Sequence, residues 1–217
     1  MIKAVVFDLW ETLFRTFGDP KVFHRKASEL MGVPFDLRIY EEVRSTRVGL
    51  SAEGAAKEII ERHGVKTSPE LVDAFLQAWF EFVDAKRELY PDALETLRTV
   101  REKGFKIGLL SNCGEGTLKF LDNSGLKALV DAPHLSCLTG NLKPDKAAFE
   151  AVLKDLKVKP SEAIMVGDNV EHDIRPAKAL GLKTVLVNHD GNRPGAELAD
   201  ASIKSLKELI VVLDKLK

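Results

Sequence analysis

Glutamine is nearly missing from this 217-residue chain: Gln77 stands alone. Cysteine occurs twice, as Cys113 and Cys137, without the spacing of a metal-ligand pair, and two such residues define no disulfide framework. Net charge is almost absent, at −1 from 32 basic and 33 acidic residues, which removes the electrostatic case for a nucleic-acid partner. No apolar run approaches the roughly 20 residues that a membrane helix needs, so no membrane partner is expected. Met1 leads straight into a strand-like segment, without the charged and apolar regions of a signal peptide. These absences point to a cytoplasmic protein. Charged residues at 30%, set beside the missing glutamine, fit a heat-adapted source. What is present is a hydrophobic fraction of 45%, enough for a sizeable core and against disorder. The length permits one large domain, or one domain carrying a smaller insert.

Four short apolar runs end sharply in polar residues. Ile2 to Phe7 stops at Asp8, Lys106 to Leu110 at Ser111, Ala163 to Val166 at Gly167, and Thr184 to Val187 at Asn188. Such runs read as fully buried strands. Helical stretches separate the later ones: Pro91 to Lys103, Thr117 to Asn123, Pro144 to Leu156 and Ile174 to Leu180. Alternation with short connectors predicts a parallel α/β sheet covered on both faces. Ala201 to Ile203 reads as an edge strand, and Leu206, Leu209, Leu213 and Leu216 mark the stripe of a final helix.

From about Phe14 to Glu88 no strand is evident. Helical periodicity runs instead over Val22 to Met31, Leu37 to Val48, Ala52 to His63 and Pro69 to Lys86, punctuated by Gly18, Gly32, Gly49 and Gly64. This predicts a small all-helical cap, residues 15–88, inserted in a core of residues 1–14 and 89–217. The cap would hinge near Phe14 to Asp19 and Lys86 to Pro91.

Ligands of open α/β sheets bind outside the carboxyl ends of the strands. Asp8, Trp10 and Thr12 follow the first strand, Ser111 and Asn112 the second, Asp168, Asn169 and Asp173 the third. Lys143 precedes the helix that leads into the third strand. Each has an ordinary alternative. Asp8 reads equally as a turn residue, Gly167-Asp168-Asn169 as a helix-capping turn, Lys143-Pro144-Asp145 as a helix start, and Ser111-Asn112 as a cap. Their joint placement at strand ends argues for a site.

In this order the residues resemble the four motifs of the haloacid dehalogenase superfamily of hydrolases, across nearly the whole chain. Asp8-Leu9-Trp10-Glu11-Thr12 is similar to D-x-D-x-T, Ser111 to the second motif, Lys143 to the third, and Gly167-Asp168 through Asp173 to G-D-x-x-x-x-D. The resemblance implies a Rossmann-like core with an α-helical cap between the first two motifs. It implies a Mg²⁺-dependent phosphatase acting on a small phosphorylated metabolite, a phosphate ester or an acyl phosphate. Asp8 would be the nucleophile that forms an aspartyl ester. Asp8, the Trp10 carbonyl, Asp168 and Asp173 would hold Mg²⁺. Ser111, the backbone N–H of Asn112 and Lys143 would bind the phosphoryl oxygens, with Trp10 beside the substrate. Thr12 would orient Asp8 through a hydrogen bond.

Trp10 departs from that pattern. Family phosphatases carry there an aspartate that protonates the leaving alcohol and then activates water. An indole N–H does neither, and such general acid–base help is worth typically 10²–10⁴-fold. Slow turnover of alkyl phosphates follows. Glu11 sits one position off and would point to the other side of an extended chain. The 2-haloacid dehalogenases, similar in having an aromatic residue here, expel halide and need no metal, and they form the rival reading. Against them stand Asp168, which would repel a haloacid unless a cation intervened, and the lack of an R-x-x-Q-L-x-Y stretch after the first motif. A binding or regulatory protein with impaired catalysis is the third reading, opposed by retention of Asp8, Lys143 and Asp168.

Further candidates carry less. Arg44 and Arg47 share a helical face, either reaching an anionic substrate or lying solvated. Phe75, Trp79 and Phe82 recur at the spacing of a cap core. Phe14 and Phe17 border the first hinge and would line the pocket. Cys113 reads as a small buried hydrophobe, and His172, within the fourth motif, either does proton work or is an exposed loop histidine.

Overall fold

The computed structural model describes residues 1–46, 49–83, 87–114, 116–191 and 194–216. In chain order the strands are β1 (Ala4–Phe7), β2 (Phe14–Thr16), β3 (Arg87–Leu89), β4 (Lys106–Ser111), β5 (Ala132–Leu135), β6 (Ala163–Gly167), β7 (Lys183–Val187) and β8 (Ala201–Ile203). The α-helices are α1 (Pro20–Met31), α2 (Leu37–Thr46), α3 (Ala52–Arg62), α4 (Pro69–Phe82), α5 (Ala93–Glu102), α6 (Gly116–Ser124), α7 (Ser136–Thr139), α8 (Lys146–Leu156), α9 (Arg175–Ala179) and α10 (Glu208–Lys215). Six strands form one parallel sheet in the order β5-β4-β1-β6-β7-β8. Strand order reverses at β1, so the crevice beside its carboxyl end is the topological switch point.

Alternation along each strand feeds the two faces. Val5, Phe7, Ile107 and Leu109 pack with Leu97 and Val100 of α5 and Leu209 and Leu213 of α10. Ala4, Val6, Leu110 and Met165 pack on the other face against Phe149, Val152 and Leu156 of α8. With both faces covered, the strands are apolar at nearly every position, as parallel sheets require.

The helices α1 to α4 enclose a third apolar cluster, which includes Phe23, Ile59, Ile60, Phe75 and Trp79, with Phe82 packed at its margin. Their starts follow local chemistry. Asp19 accepts from the N–H of Lys21 ahead of Pro20, Ser51 from that of Gly54, and Ser68 from that of Leu71 ahead of Pro69. Each cap satisfies a backbone donor that the first helical turn leaves open. Phe75 and Trp79 thus belong to this cluster, as their spacing suggested. Among the described residues no helix is long and apolar enough to cross a membrane.

Two corrections concern strands. The stretch from Phe14 to Glu88 is not strand-free: β2 and β3 pair antiparallel, with Phe14 opposite Leu89 and Thr16 opposite Arg87. Three residues whose partner lies some seventy positions away leave no periodicity to read. The other is β5, whose Pro133 cannot donate to a ladder; it lies at the sheet edge, where proline is tolerated.

A candidate active site at the carboxyl ends of β1, β4 and β6

Parallel pairing of β1 with both β4 and β6 brings three strand ends side by side. Asp8 leaves β1 still held by the sheet, its N–H donating to the Val166 carbonyl at 2.9 Å. Its carboxylate meets Lys143, whose Nζ donates to Asp8 Oδ1 at 2.7 Å and to Asp173 Oδ1 at 2.6 Å. All three side chains are buried, Asp173 completely. Oxygens of Asp8, Asp168 and Asp173 lie within 4.8 Å of one another. Burial pushes the Asp8 carboxyl above the ordinary range; the Lys143 charge pulls the other way and Asp173 adds to the rise. For Lys143, burial works against the charge, but Asp173 and Asp8 more than offset it and hold the ammonium above its usual range.

Local structure delivers each group. After β6 the Asn169 side chain accepts from the N–H groups of Glu171 and His172 and starts one wide turn, Val170–Ile174, that runs into α9. This turn carries Asp173 back over the strand end, where its other oxygen accepts from the Asn169 N–H at 3.0 Å. Gly167 lies directly beneath: a Cβ there would overlap the Asp173 carboxylate. Lys143 is placed by Asn112, whose amide accepts from the Lys143 N–H and donates to the Lys143 carbonyl, both at 2.8 Å.

The Ser111 hydroxyl is buried and, among the described residues, has no hydrogen-bond partner. A buried hydroxyl left so costs free energy unless something arrives to pair with it. Thr12 corrects an expectation. Its hydroxyl is also buried without a partner among the described residues, so it makes no hydrogen bond to Asp8. The reason is the tight turn after β1, in which the N–H groups of Leu13 and Phe14 both donate to the Leu9 carbonyl. Glu11, at the left-handed φ of 55°, is spent elsewhere. Its carboxylate accepts from the N–H and hydroxyl of Thr16 on β2.

Trp10 lies under a cation. The Arg87 guanidinium sits 4.6 Å from the Trp10 ring and 4.9 Å from the Phe120 ring. Burial, with the neighbouring Arg44 charge, lowers Arg87 to about 10, so it stays protonated at neutral pH. Phe14 packs into the core and Phe17 is half exposed, under the Arg15 guanidinium. Neither lines the cleft.

That cleft, of about 390 Å³, opens over Lys143 and Asn112. Arg38, Glu41, Glu42 and Arg44 of α2 form one wall, and His172 joins from the fourth-motif turn. Arg44 therefore faces the site, whereas Arg47 lies outside the described residues.

Comparison with known proteins accounts for this arrangement. The profile of the haloacid dehalogenase-like hydrolases matches residues 2–181. The chain belongs to that family. A haloacid dehalogenase-like hydrolase of this kind has relatives over its full length. It is 30% identical to a glyceraldehyde 3-phosphate phosphatase of Methanopyrus kandleri, with 100% of this chain and 99% of the relative covered. It is 33% identical to a ribulose-1,5-bisphosphate 5-phosphatase of Halopiger xanaduensis, over 92% of this chain and 90% of the relative. The fold is shared with a 2-haloacid dehalogenase of Pseudomonas syringae, at a TM-score of 0.70 and 24% identity over 100% of both chains.

Of the motif residues, Asp8, Lys143, Asp168 and Asp173 lie together, and Ser111 ends the strand beside β1. Sequence reasoning missed the side-chain role of Asn112, whose partner lies 31 positions away. It also missed Arg87, because Arg87-Glu88-Leu89 carries no strand propensity and only the neighbouring Tyr90 favours a strand.

Proposed function

We propose that this hydrolase is a Mg²⁺-dependent phosphatase of a small phosphorylated metabolite, working through an aspartyl-phosphate on Asp8. The observation that carries this is Asp168: it brings a third carboxylate to within 4.8 Å of Asp8 and Asp173, the pair that shares the Lys143 ammonium. Three hard oxygen donors so close together suit a divalent cation and are hostile to a bare haloacid carboxylate. The relatives named for triose and pentose phosphates support a sugar-phosphate class of substrate.

The residues present fit Mg²⁺: Asp8, Asp168 and Asp173 supply carboxylate oxygens, and Trp10 a backbone carbonyl. When bound, the ion would offset the repulsion between the Asp8 carboxylate and an anionic phosphoryl group. Asp8 attacks phosphorus and becomes an acyl phosphate as the alcohol departs. Lys143 balances the charge that builds on the phosphoryl oxygens, and the Ser111 hydroxyl and the Asn112 N–H hold them. Water then attacks the acyl phosphate and frees Asp8. No carboxylate stands at position 10 to protonate the leaving oxygen, so the enzyme favours leaving groups that depart as anions. Residues 15–88 act as the cap, with substrate selection in the α2 wall.

Hydrolysis of an aryl phosphate tests this, because an aryl leaving group needs little protonation. Turnover should require Mg²⁺, stop in EDTA and vanish in Asp8→Asn. Metal-independent halide release from 2-chloropropionate, with no phosphate release, would establish the dehalogenase reading that Trp10 favours.

A further inference from the structure

Cys113 and Cys137 are the two cysteines of the chain, and they meet in its interior. Their Sγ atoms lie 3.8 Å apart and both residues are buried. The meeting follows from register. Ser111 of β4 pairs with Leu135 of β5, and each cysteine stands two residues beyond its strand's paired position. The backbones are already fastened together. The Ser136 hydroxyl accepts from the Cys113 N–H at 2.9 Å and donates to the Cys113 carbonyl at 3.2 Å. A disulfide needs the sulfurs about 1.8 Å closer.

Cys113 also follows Ser111 and Asn112 directly, so its position is that of the site's own loop. We propose that Cys113 and Cys137 form an intramolecular disulfide when the protein meets a hydroperoxide, fastening the Ser111–Asn112 loop to α7. The Cys113 sulfur attacks the peroxide oxygen, breaking the O–O bond and leaving a sulfenic acid and one water. The Cys137 sulfur then displaces the hydroxyl, which leaves with the two remaining protons accounted for: two thiols and one hydrogen peroxide give one disulfide and two waters. The hydrogen bond with the Cys137 thiol pushes the Cys113 thiol down against its burial, and the Thr117 side chain and the Arg44 charge add to this. A cavity of about 90 Å³ adjoins the Cys113 loop at Gly114, Gly116 and Thr117, with room for an oxidant little larger than water, although neither cysteine lines it.

The test uses the whole protein, reduced, desalted and exposed to hydrogen peroxide, then unfolded and alkylated. The expected product has lost two hydrogens, takes up no alkyl group, and yields one peptide pair joined through 113 and 137. Its melting midpoint rises by several degrees, and dithiothreitol reverses both changes. Cys137→Ala should show neither, its remaining thiol either alkylating or gaining oxygen. Two alkylatable thiols after oxidation, an oxygen-bearing Cys113 beside a free Cys137, or a disulfide between two chains would each overturn the proposal. None of these readouts depends on phosphatase activity.

Discussion

Asn112 grips Lys143 by its backbone: one side-chain amide accepts from the N–H and donates to the carbonyl of a residue 31 positions away. In this way the loop after β4 fixes the root of the lysine whose ammonium joins Asp8 to Asp173. Hydrogen bonds of this kind set where a charge sits, and displacement of a charge by about 1 Å costs on the order of 10²-fold in rate. Asn112→Ala should therefore lower kcat about 10–10²-fold on an aryl phosphate. Two lost hydrogen bonds should also remove about 1–3 kcal/mol of stability. Steady-state kinetics and denaturant titration check the two effects together. An unchanged kcat in a folded variant would show that Lys143 holds its place without the grip.

Binding of Mg²⁺ to the folded protein alone raises stability in proportion to occupancy, by about 2.7 kcal/mol at a hundred times the dissociation constant. Adding Mg²⁺ should raise the melting midpoint, EDTA should reverse the rise, and Asp168→Ala should abolish it. Thermal denaturation followed by circular dichroism reads all three. A midpoint indifferent to Mg²⁺ in the wild type would remove the metal from the site.

Gly167→Ala should be more damaging than its size suggests. The added methyl meets the Asp173 carboxylate, which is fully buried and held by Lys143 and the Asn169 N–H. Overpacking of this sort costs about 1–3 kcal/mol. It should also displace an oxygen of the acidic cluster, so the Mg²⁺-induced rise in melting midpoint should shrink. A variant of wild-type stability and Mg²⁺ response would show that the turn has room to yield.

Trp10→Asp places at position 10 the carboxylate that the proposed mechanism lacks. Proton donation helps poor leaving groups most, so alkyl phosphate turnover should rise relative to aryl phosphate turnover by at least about 10-fold. Loss of the stack on Arg87 should cost about 0.5–2 kcal/mol at the same time. The ratio of the two kcat/KM values, measured in both proteins, decides it. A ratio that does not move would mean that position 10 does not face the leaving group.

Much of this was legible in the sequence because burial and chemistry left marks in it. β1, β4, β6 and β7 are covered on both faces, so their apolar runs are continuous and stop where solvent and ligand begin. Asp8, Ser111 and Asp168 could be gathered from strand ends, and Lys143 and Asp173 joined them through the order of the motifs. The rest depends on partners distant in the chain. β2 and β3 exist only as a pair, and β5 breaks the strand rule with Pro133 because it occupies an edge. Thr12 was assigned a bond to Asp8 that its buried hydroxyl does not make, and Arg87 is placed against the rings of Trp10 and Phe120, both distant in the chain. Such relations lie in three dimensions and leave no local period.

The pairing of β2 with β3 has a consequence for the chain's history. Where the backbone departs for the helices and where it returns are hydrogen-bonded neighbours, with Arg15 also reaching Glu88 at 2.9 Å. To the sheet below, everything between is one closed loop on a fixed stem. Whatever its length, the two ends stay side by side, so the span that the stem bridges above β1 does not depend on how much chain runs between them.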